Sequence, residues 1–428
     1  MSRIIKTISG ALMMLLRVII LVLCLFSFSP IYKWGDPAPF SGDGIYNPYA
    51  GSDSAAVWKR ATFHTHTKVD KGINECPYYP DVVYDDYMTL GYDIVAFTNH
   101  NALTQHPYNQ RLDLHAYEHG YNLFKLHTNV FGTRQVQKYD ILLPIFDSQK
   151  QFKMNLAKKH GEFITFNHPD RTHGITSKTM ARLSGYRLIE GDSGFEERDG
   201  GEGTHLRHWD EALSAGRYSH NLLSDDNHDS KNPARIARRS TWVNTPTAEY
   251  FDVRDALLQG NFYSMRTPEG IPTDSLPRIS CIGLKSDTIH ISLTKPASTI
   301  EVISQNGEVK QRLSDTGFAQ YVIQGDEPYI RMTARFDDGT VIYTNAFARY
   351  SDGDSPYCDL NHPIHWPLTI LYNLILMAII STIAVHIKNH KICRFIKTAY
   401  ICIVILVTLD TIKHGISAPT EVPFFLER

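Results

Sequence analysis

Two histidines separated by one residue open the chemically informative part of the chain, in the stretch 63–70, Phe-His-Thr-His-Thr-Lys-Val-Asp. They come after a run that is typical of a β-strand, Val57 to Thr62. Because residues i and i+2 of an extended backbone point to the same side, His64 and His66 can face one cation. Neutral imidazole is a common ligand for transition-metal ions. The pair alone is a weak signal, and its weight depends on finding more ligand-type residues along the chain.

Further ligand-type residues come at the ends of later strand-like runs or soon after them. Of the 20 histidines in the chain, 14 lie between His64 and His228, a density that favours a site over core packing. The later clusters, in chain order, are His100 after a strand-like run, Glu118 with His127 nine residues later, His168 in Asn167-His168-Pro169, and Asp226 with His228.

This ordered series resembles the PHP (polymerase and histidinol phosphatase) family of metal-dependent phosphoesterases, over about residues 58 to 268. The resemblance implies a distorted (β/α)7 barrel with two or three divalent metal ions, Zn, Mn or Fe, at one mouth. Two departures from the family pattern stand out. Asn99 occupies a position where the family often has aspartate, and Asp70 comes one place before the usual first-loop acid, where this chain has Lys71. The metal ligands implied are His64, His66, Asp70, His100, Glu118, His127, His168, Asp226 and His228.

The chemistry implied is hydrolysis of a phosphate ester. Metal ions held by imidazole and carboxylate groups lower the pKa of a bridging water, which yields hydroxide near neutral pH. We expect Glu118 to bridge two cations, and Asp226 with His228 to position the nucleophile. A phosphate favours charge-assisted hydrogen bonds, and Arg171, just after the His-Pro pair, is the first candidate to supply them.

Several other polar residues are given lesser roles. Glu190 ends a strand-like run and is a candidate to support a ligand rather than to bind metal. The weaker phosphate-binding candidates are Lys71, Arg134 and the group Arg235, Arg238 and Arg239, which is more simply interpreted as a solvated face. The histidines interpreted as surface or supporting residues are His106, His115, His119, His160, His205, His208 and His220.

The elements that must position these residues alternate along the chain. From residue 57 to 268, strand-like runs such as Phe163–Asn167 alternate with helical patterns such as Asp147–His160. Alternation of this kind predicts an α/β domain with mainly parallel strands, whose carboxyl ends gather the site residues. Residues 276–350 instead carry short strands separated by glycines, which predict a small antiparallel β-sandwich. The proline-rich residues 31–56 are predicted to be a linker.

Apolar segments near the two ends of the chain suggest a membrane protein. Residues 1–30 are interpreted as an uncleaved membrane anchor, with a cleaved signal segment as the alternative. Residues 366–387 are long enough to span a bilayer, and 398–416 are a second, shorter candidate. Basic residues at Arg3 and Lys6, and four more between 388 and 397, place both flanks in the cytoplasm. The catalytic domain is therefore expected on the extracytoplasmic side, and a buried helical hairpin is the alternative.

The composition limits the kinds of substrate and binding partner that we expect. The formal net charge of −2 does not favour binding of duplex nucleic acid, and the six cysteines form no C-x-x-C pair. The expected substrate is a small phosphate ester, a nucleotide or an oligonucleotide end, and the oligomeric state stays open. Two alternatives remain: an amidohydrolase-like metal hydrolase, whose bridging lysine has no obvious counterpart here, and a non-catalytic surface protein on the same barrel.

Overall fold

The computed structural model describes residues 2–52, 58–70, 72–193 and 206–385, together with residues 394, 398 and 402. The helices of these described ranges are α1 (Ser2–Leu25), α2 (Pro80–Thr89), α3 (Asp147–Lys158), α4 (Ser177–Arg182), α5 (Arg207–Ser214), α6 (Tyr250–Gln259) and α7 (Trp366–Val385). The strands before residue 270 are β1 (Gly44–Tyr46), β2 (Trp58–Thr62), β3 (Ile94–Val95), β4 (Tyr117–His119), β5 (Thr128–Phe131), β6 (Phe163–Phe166), β7 (Leu188–Ser193), β8 (His220–Ser224), β9 (Arg239–Asn244) and β10 (Phe262–Arg266). The later strands are β11 (Ile279–Lys285), β12 (Thr288–Ser304), β13 (Glu308–Val322), β14 (Tyr329–Arg335), β15 (Val341–Thr344) and β16 (Phe347–Tyr350).

Local sequence explains where several helices start and stop. Pro80 opens α2 at a position whose N–H would have no helical partner, so the helix loses no hydrogen bond. The Thr176 side chain caps α4 by accepting from the backbone N–H of Thr179. Gly260 ends α6 with a φ of 84°, and a Cβ there would collide with the His220 ring. These signals fix the lengths of the helices that separate the strands.

Two sheets carry the site residues, the five-stranded sheet β4–β8 and a larger sheet that contains β2, β3, β9 and β10, and both are mixed, not mainly parallel as the sequence predicted. The pairs β2–β3, β6–β7 and β7–β8 are parallel. The pairs β4–β5, β5–β6, β2–β9 and β9–β10 are antiparallel. A loop of only eight residues, 120–127, joins β4 to β5, and a parallel connection needs a longer crossover. The protein is therefore a mixed α/β structure.

Two isolated β-bridges connect segments of the two sheets close to the ends of their strands. Thr65, just past β2, pairs with Asn227, just past β8. His100, just past β3, pairs with Glu118 in β4. Both bridges are parallel, and both lie beside residues that the sequence nominates as metal ligands.

The strands expected after residue 276 are present as β11–β16, but they do not stand apart from the first unit. β15 pairs along its length with β10, so one eleven-stranded sheet runs from β3 through β2, β9 and β10 into β15 and β14. Ile300 and Met332 share one buried cluster with Trp242 and Tyr263. Within the predicted linker, the described residues include β1, which pairs with β16.

α1 and α7 are apolar and largely exposed. Each is long and apolar enough to cross a membrane by length and composition, and they pack on each other through Leu21, Cys24, Leu376 and Ile380. α7 agrees with the span predicted at 366–387. The second predicted span at 398–416 and the basic loop at 388–397 lie outside the described residues, apart from positions 394, 398 and 402.

Candidate metal centre

Nine side chains converge where several strands end. His64 and His66 come just after β2, and His100 comes after β3. Glu118 is the middle residue of β4, and His127 directly precedes β5. Their nitrogen and oxygen atoms form four overlapping groups, and the atoms of each group lie within 4.8 Å of one another. The complete set is His64, His66, Glu75, His100, Glu118, His127, His168, Asp226 and His228.

Glu118 lies at the centre of this set. Its Oε1 is 3.3 Å from His64 Nε2, 3.2 Å from His127 Nδ1 and 3.3 Å from His168 Nε2. Its Oε2 is 2.9 Å from His100 Nε2 and 3.5 Å from the Nε2 of the second histidine of the pair. Because each oxygen contacts a different group of imidazoles, this carboxylate can bridge two cations.

Asp226 completes the group around the histidine pair. Its Oδ1 is 3.1 Å from both His64 Nε2 and His66 Nε2, which are themselves 3.3 Å apart. Two ligands that each lie about 2.1 Å from a zinc ion in tetrahedral geometry are about 3.4 Å apart. The buried donor atoms therefore have the spacing of ligands around one ion, so the residues fit a divalent metal ion.

Glu75 joins the site although no sequence signal pointed to it. Its Oε2 lies 2.9 Å from His100 Nε2, 3.2 Å from His228 Nε2 and 3.7 Å from His66 Nδ1. The loop turns back because Asn74 accepts from the N–H of Val69 and donates to its carbonyl oxygen. The first-loop acid that this turn brings to the imidazoles is therefore Glu75.

The expectation for Asp70 needs correction. Asp70 is exposed and belongs to none of the four ligand groups found among the described residues. It comes at the start of the turn that Asn74 closes, five residues before the acid that reaches the imidazoles. Lys71, the neighbouring candidate, lies outside the described residues.

Two hydrogen bonds set the orientation of ligand imidazoles. Both carboxylate oxygens of buried Glu190 lie 3.2 Å from His64 Nδ1, and one also accepts from the backbone N–H of His168. His228 Nδ1 lies 2.8 Å from the carbonyl oxygen of Asp226. An N–H at each Nδ1 leaves the Nε2 lone pair free for a cation. Glu190 thus contacts the candidate ligand His64, and its supporting role stays a prediction.

Amide side chains hold the frame around the ligands. Asn99 accepts from the N–H of Thr67 at 2.7 Å and donates to Thr104, so it fixes the backbone just past the histidine pair. Asn167 donates to Glu118 Oε1 at 2.9 Å and to Asn129. The role of Asn167 was not predicted, and its only signal was its place before a candidate ligand at a strand end.

The charges of the site favour cation binding. Burial raises the pKa of Glu118, but the surrounding imidazoles outweigh this and hold that pKa well below its ordinary value. The pKa of Asp226 is likewise held low against burial, first by His64. Burial and the charge of His228 lower the pKa of His66 to about 4. The carboxylates are therefore ionised and His66 is neutral, which are the forms that bind metal. Against burial, the neighbouring carboxylates raise the pKa of His64 well above its ordinary value and that of His100 to about 10, so these two imidazoles must release a proton when a cation binds.

The backbone is strained at two of the candidate ligands. His168 has a φ of 29° and Asp226 a φ of 48°, in the left-handed region that non-glycine residues rarely adopt. Such conformations cost about 1–3 kcal/mol each and collect at functional sites. The turn after His168 also brings Arg171 Nη1 to 3.5 Å from Asp226 Oδ2, which puts a guanidinium at the border of the ligand set.

The other candidates lie away from the ligand groups. Arg134 is exposed. Arg239 is not part of a solvated face as the sequence suggested, because its buried Nε donates to Asp192 Oδ1 at 2.6 Å. His119 is buried beside Lys153 and the carbonyl oxygen of Tyr139. None of the described histidines that were interpreted as surface or supporting residues belongs to the four groups, and His205 lies outside the described residues.

No protein-family model matches the chain, and no curated protein matches it. Among solved structures, the chain is similar to a two-domain protein from Bacteroides vulgatus that contains a predicted PHP-like metal-dependent phosphoesterase. The identity is 14% and the TM-score 0.38, with 74% of this chain and 99% of that chain covered. At this level of similarity, function has to be argued from the geometry of the site.

Proposed function

We propose that this chain is a membrane-anchored, metal-dependent phosphoesterase. The observation that carries the proposal is the convergence of six imidazoles and three carboxylates in four overlapping ligand groups. Because Glu118, His64 and His66 are each shared between two groups, the arrangement suits two or three divalent ions, with Zn, Mn and Fe as the candidates.

We infer that β2 to β8 form the distorted seven-stranded ring of a (β/α)7 barrel. Ladder hydrogen bonds connect β2 to β3, and others connect β4 through β8 in sequence order. The two bridges, Thr65 with Asn227 and His100 with Glu118, lie where the remaining two joints of a ring would be. In such a ring the ligands occupy one mouth, which is the usual place for a barrel active site.

Each residue of the site has a definable task in this reaction. Bound divalent cations supply Lewis acidity to water and to phosphoryl oxygens. Arg171 offers a fork of N–H donors that matches phosphate oxygens, and its position next to Asp226 keeps it at the mouth. Asp226 Oδ2 is buried, and among the described residues it makes an ion pair with Arg171 at 3.5 Å but no hydrogen bond, so it can orient the attacking water. Glu190 keeps the Nε2 atom of His64 available as a ligand.

Two features favour a phosphate ester over an amide substrate. The group that contacts imidazoles on both sides of the site is the carboxylate of Glu118, where an amidohydrolase-like site uses a bridging lysine. Arg171 adds a guanidinium at the border, and developing charge on a phosphoryl group benefits from such a cation.

The test uses the full chain purified in detergent. We expect two or three equivalents of divalent metal, and hydrolysis of p-nitrophenyl phosphate or its bis ester that a chelator abolishes and Mn or Zn restores. His228→Ala should lower kcat by more than the 10–100-fold typical of a supporting residue. His173→Ala, an exposed histidine on the loop after β6, is the matched control. A metal-free chain, or equal activity in the two variants, would refute the proposal.

A further inference from the structure

Three large apolar side chains are exposed on two loops, one of which runs between the candidate ligands Glu118 and His127. Leu123 is 63% exposed, Ile145 58% and Phe146 51%. Single exposed apolar residues are ordinary, but adjoining ones commonly mark an interaction surface. Together these three residues form the apolar rim.

The first loop of the apolar rim is built into the ligand set. Residues 120–127 connect β4, which carries Glu118, to β5, and the loop ends at the ligand His127. Asn122 closes the loop by donating to the carbonyl oxygen of Leu126 at 2.7 Å and accepting from its N–H at 2.9 Å. Leu123 at the tip is therefore held in a fixed position relative to the metal ligands.

The second loop, residues 132–146 between β5 and α3, connects the first loop to the apolar helices α1 and α7. The N–H of Leu123 donates to the carbonyl oxygen of Leu142, whose own N–H donates to the carbonyl oxygen of Phe26, just past α1. The Phe146 ring lies 6.2 Å from the ring of Tyr372 in α7. Tyr372 is six residues into that helix, which corresponds to about 9 Å along its axis. Phe146 thus lies alongside the apolar helix and not beyond its end.

We propose that the metal centre opens onto the membrane surface and that its substrate is a phosphate ester of a lipid. This inference rests on the proposed phosphoesterase function. If α1 and α7 cross a bilayer, the apolar rim enters the zone between headgroups and acyl chains, where interfacial segments bury about 5–10 Å. A lipid phosphate at headgroup level would then reach the ligands Glu118 and His127 without leaving the bilayer.

The first experiment compares embedded and soluble substrates with the full chain in phosphatidylcholine vesicles. The embedded substrates are phosphatidic acid and phosphatidylglycerol, and the soluble ones are p-nitrophenyl phosphate and its bis ester. The triple variant replaces the apolar rim: Leu123→Ser, Ile145→Ser and Phe146→Ser. The matched control replaces three similarly exposed residues of β13: Val309→Ser, Phe318→Ser and Val322→Ser.

We expect the rim variant to lose at least tenfold in rate on an embedded lipid while its rate on a soluble ester changes less than twofold. The β13 variant should keep both rates. If the rim variant keeps its rate on both kinds of substrate, or if the unmodified chain hydrolyses soluble esters but neither lipid, the inference is overturned and the phosphoesterase proposal stands. If no ester of either kind is hydrolysed by the metal-loaded chain, both proposals fail.

A second measurement does not depend on activity. Phe146→Trp adds a reporter to the apolar rim, and Phe318→Trp adds one to β13, each compared with the unmodified chain. In vesicles of brominated phosphatidylcholine, the added fluorescence should be quenched at position 146 and unquenched at 318. An unquenched reporter at 146 would overturn the inference, including the case in which a second copy of the chain covers the rim and the protein runs as a dimer.

Discussion

Three carboxylates divide the imidazoles of the candidate site into groups, each of which could hold a cation. Asp226 contacts His64 and His66, Glu118 contacts imidazoles on both sides, and Glu75 contacts His100 together with His228. Each carboxylate is therefore a point at which one substitution should remove a definite part of the metal content. The first-loop acid gives the sharpest case, because two residues of one loop can be compared.

We expect Glu75→Ala to lower the metal content by about one equivalent and Asp70→Ala to leave it unchanged. Glu75 contacts three imidazoles, and without it His100 and His228 lose their shared anionic ligand. Asp70 is exposed and serves as the matched control from the same loop. Metal analysis by mass spectrometry after gel filtration gives the answer. Metal loss in Asp70→Ala with retention in Glu75→Ala would reverse the assignment.

Glu190→Gln should weaken metal binding by about 10–100-fold, the range for a group that orients a ligand histidine. The substitution keeps the size of the side chain but removes the negative charge beside His64 Nδ1. Competition with a chelator of known affinity measures the change. Glu249→Gln, at an exposed ion pair with Arg111, is the control. Unaltered metal affinity in Glu190→Gln would mean that the carboxylate does not orient His64.

At the scale of the elements, the conformation of the loop between β8 and β9 depends on one buried carboxylate. Asp225, next to the ligand Asp226, accepts the backbone N–H groups of Ala237, Arg238 and Arg239. The hydroxyl of Tyr87 in α2 donates to the same carboxylate. Asp225 therefore ties together the loop after the ligands, the start of β9 and a neighbouring helix.

Asp225→Ala should destabilise the protein by at least about 1–3 kcal/mol, because buried N–H donors are left without an acceptor. The measurement is the denaturant midpoint of the detergent-purified chain, followed by tryptophan fluorescence. Asp229→Ala is the control, since Asp229 accepts from the exposed Lys231 N–H on the same loop. Equal midpoints for the two variants would show that the Asp225 hydrogen bonds do not limit stability.

The elements also show which features the sequence could predict. The end of β6 could be predicted from the sequence, because the apolar run Phe163–Phe166 stops where Asn167 and His168 begin. The direction of pairing was not, since it depends on residues far apart in the chain, as when β10 pairs with β15. The position of Glu75 at the site could not be predicted from the sequence either. It lies in a loop without periodicity, and its direction comes from the hydrogen bonds between Asn74 and Val69.

At the scale of the whole molecule, a segment near the N-terminus lies beside a segment near residue 364. Tyr32 bridges to Ile364, so the segment after α1 runs beside the segment before α7. Residues 26–29 are tied to the body as well as to α7. Tyr139 donates to the carbonyl oxygen of Phe28, and Tyr372 donates to that of Ser27. The two apolar helices therefore leave the folded body side by side, at the edge where the apolar rim lies.

This arrangement predicts that α1 stays in the mature protein and is not removed as a signal segment. Leu21 and Cys24 pack against Leu376 and Ile380, so removal of α1 would expose an apolar surface on α7. In a bilayer the lipid tails are as apolar as these side chains, so the remaining helix would lose the close van der Waals packing of the pair. N-terminal sequencing and intact mass of the protein purified from membranes should find the residues of α1. A mature chain that starts after residue 25 would show instead that the helix pair does not persist. Loop 120–127 would then no longer be attached to a membrane-spanning α1 through Phe26.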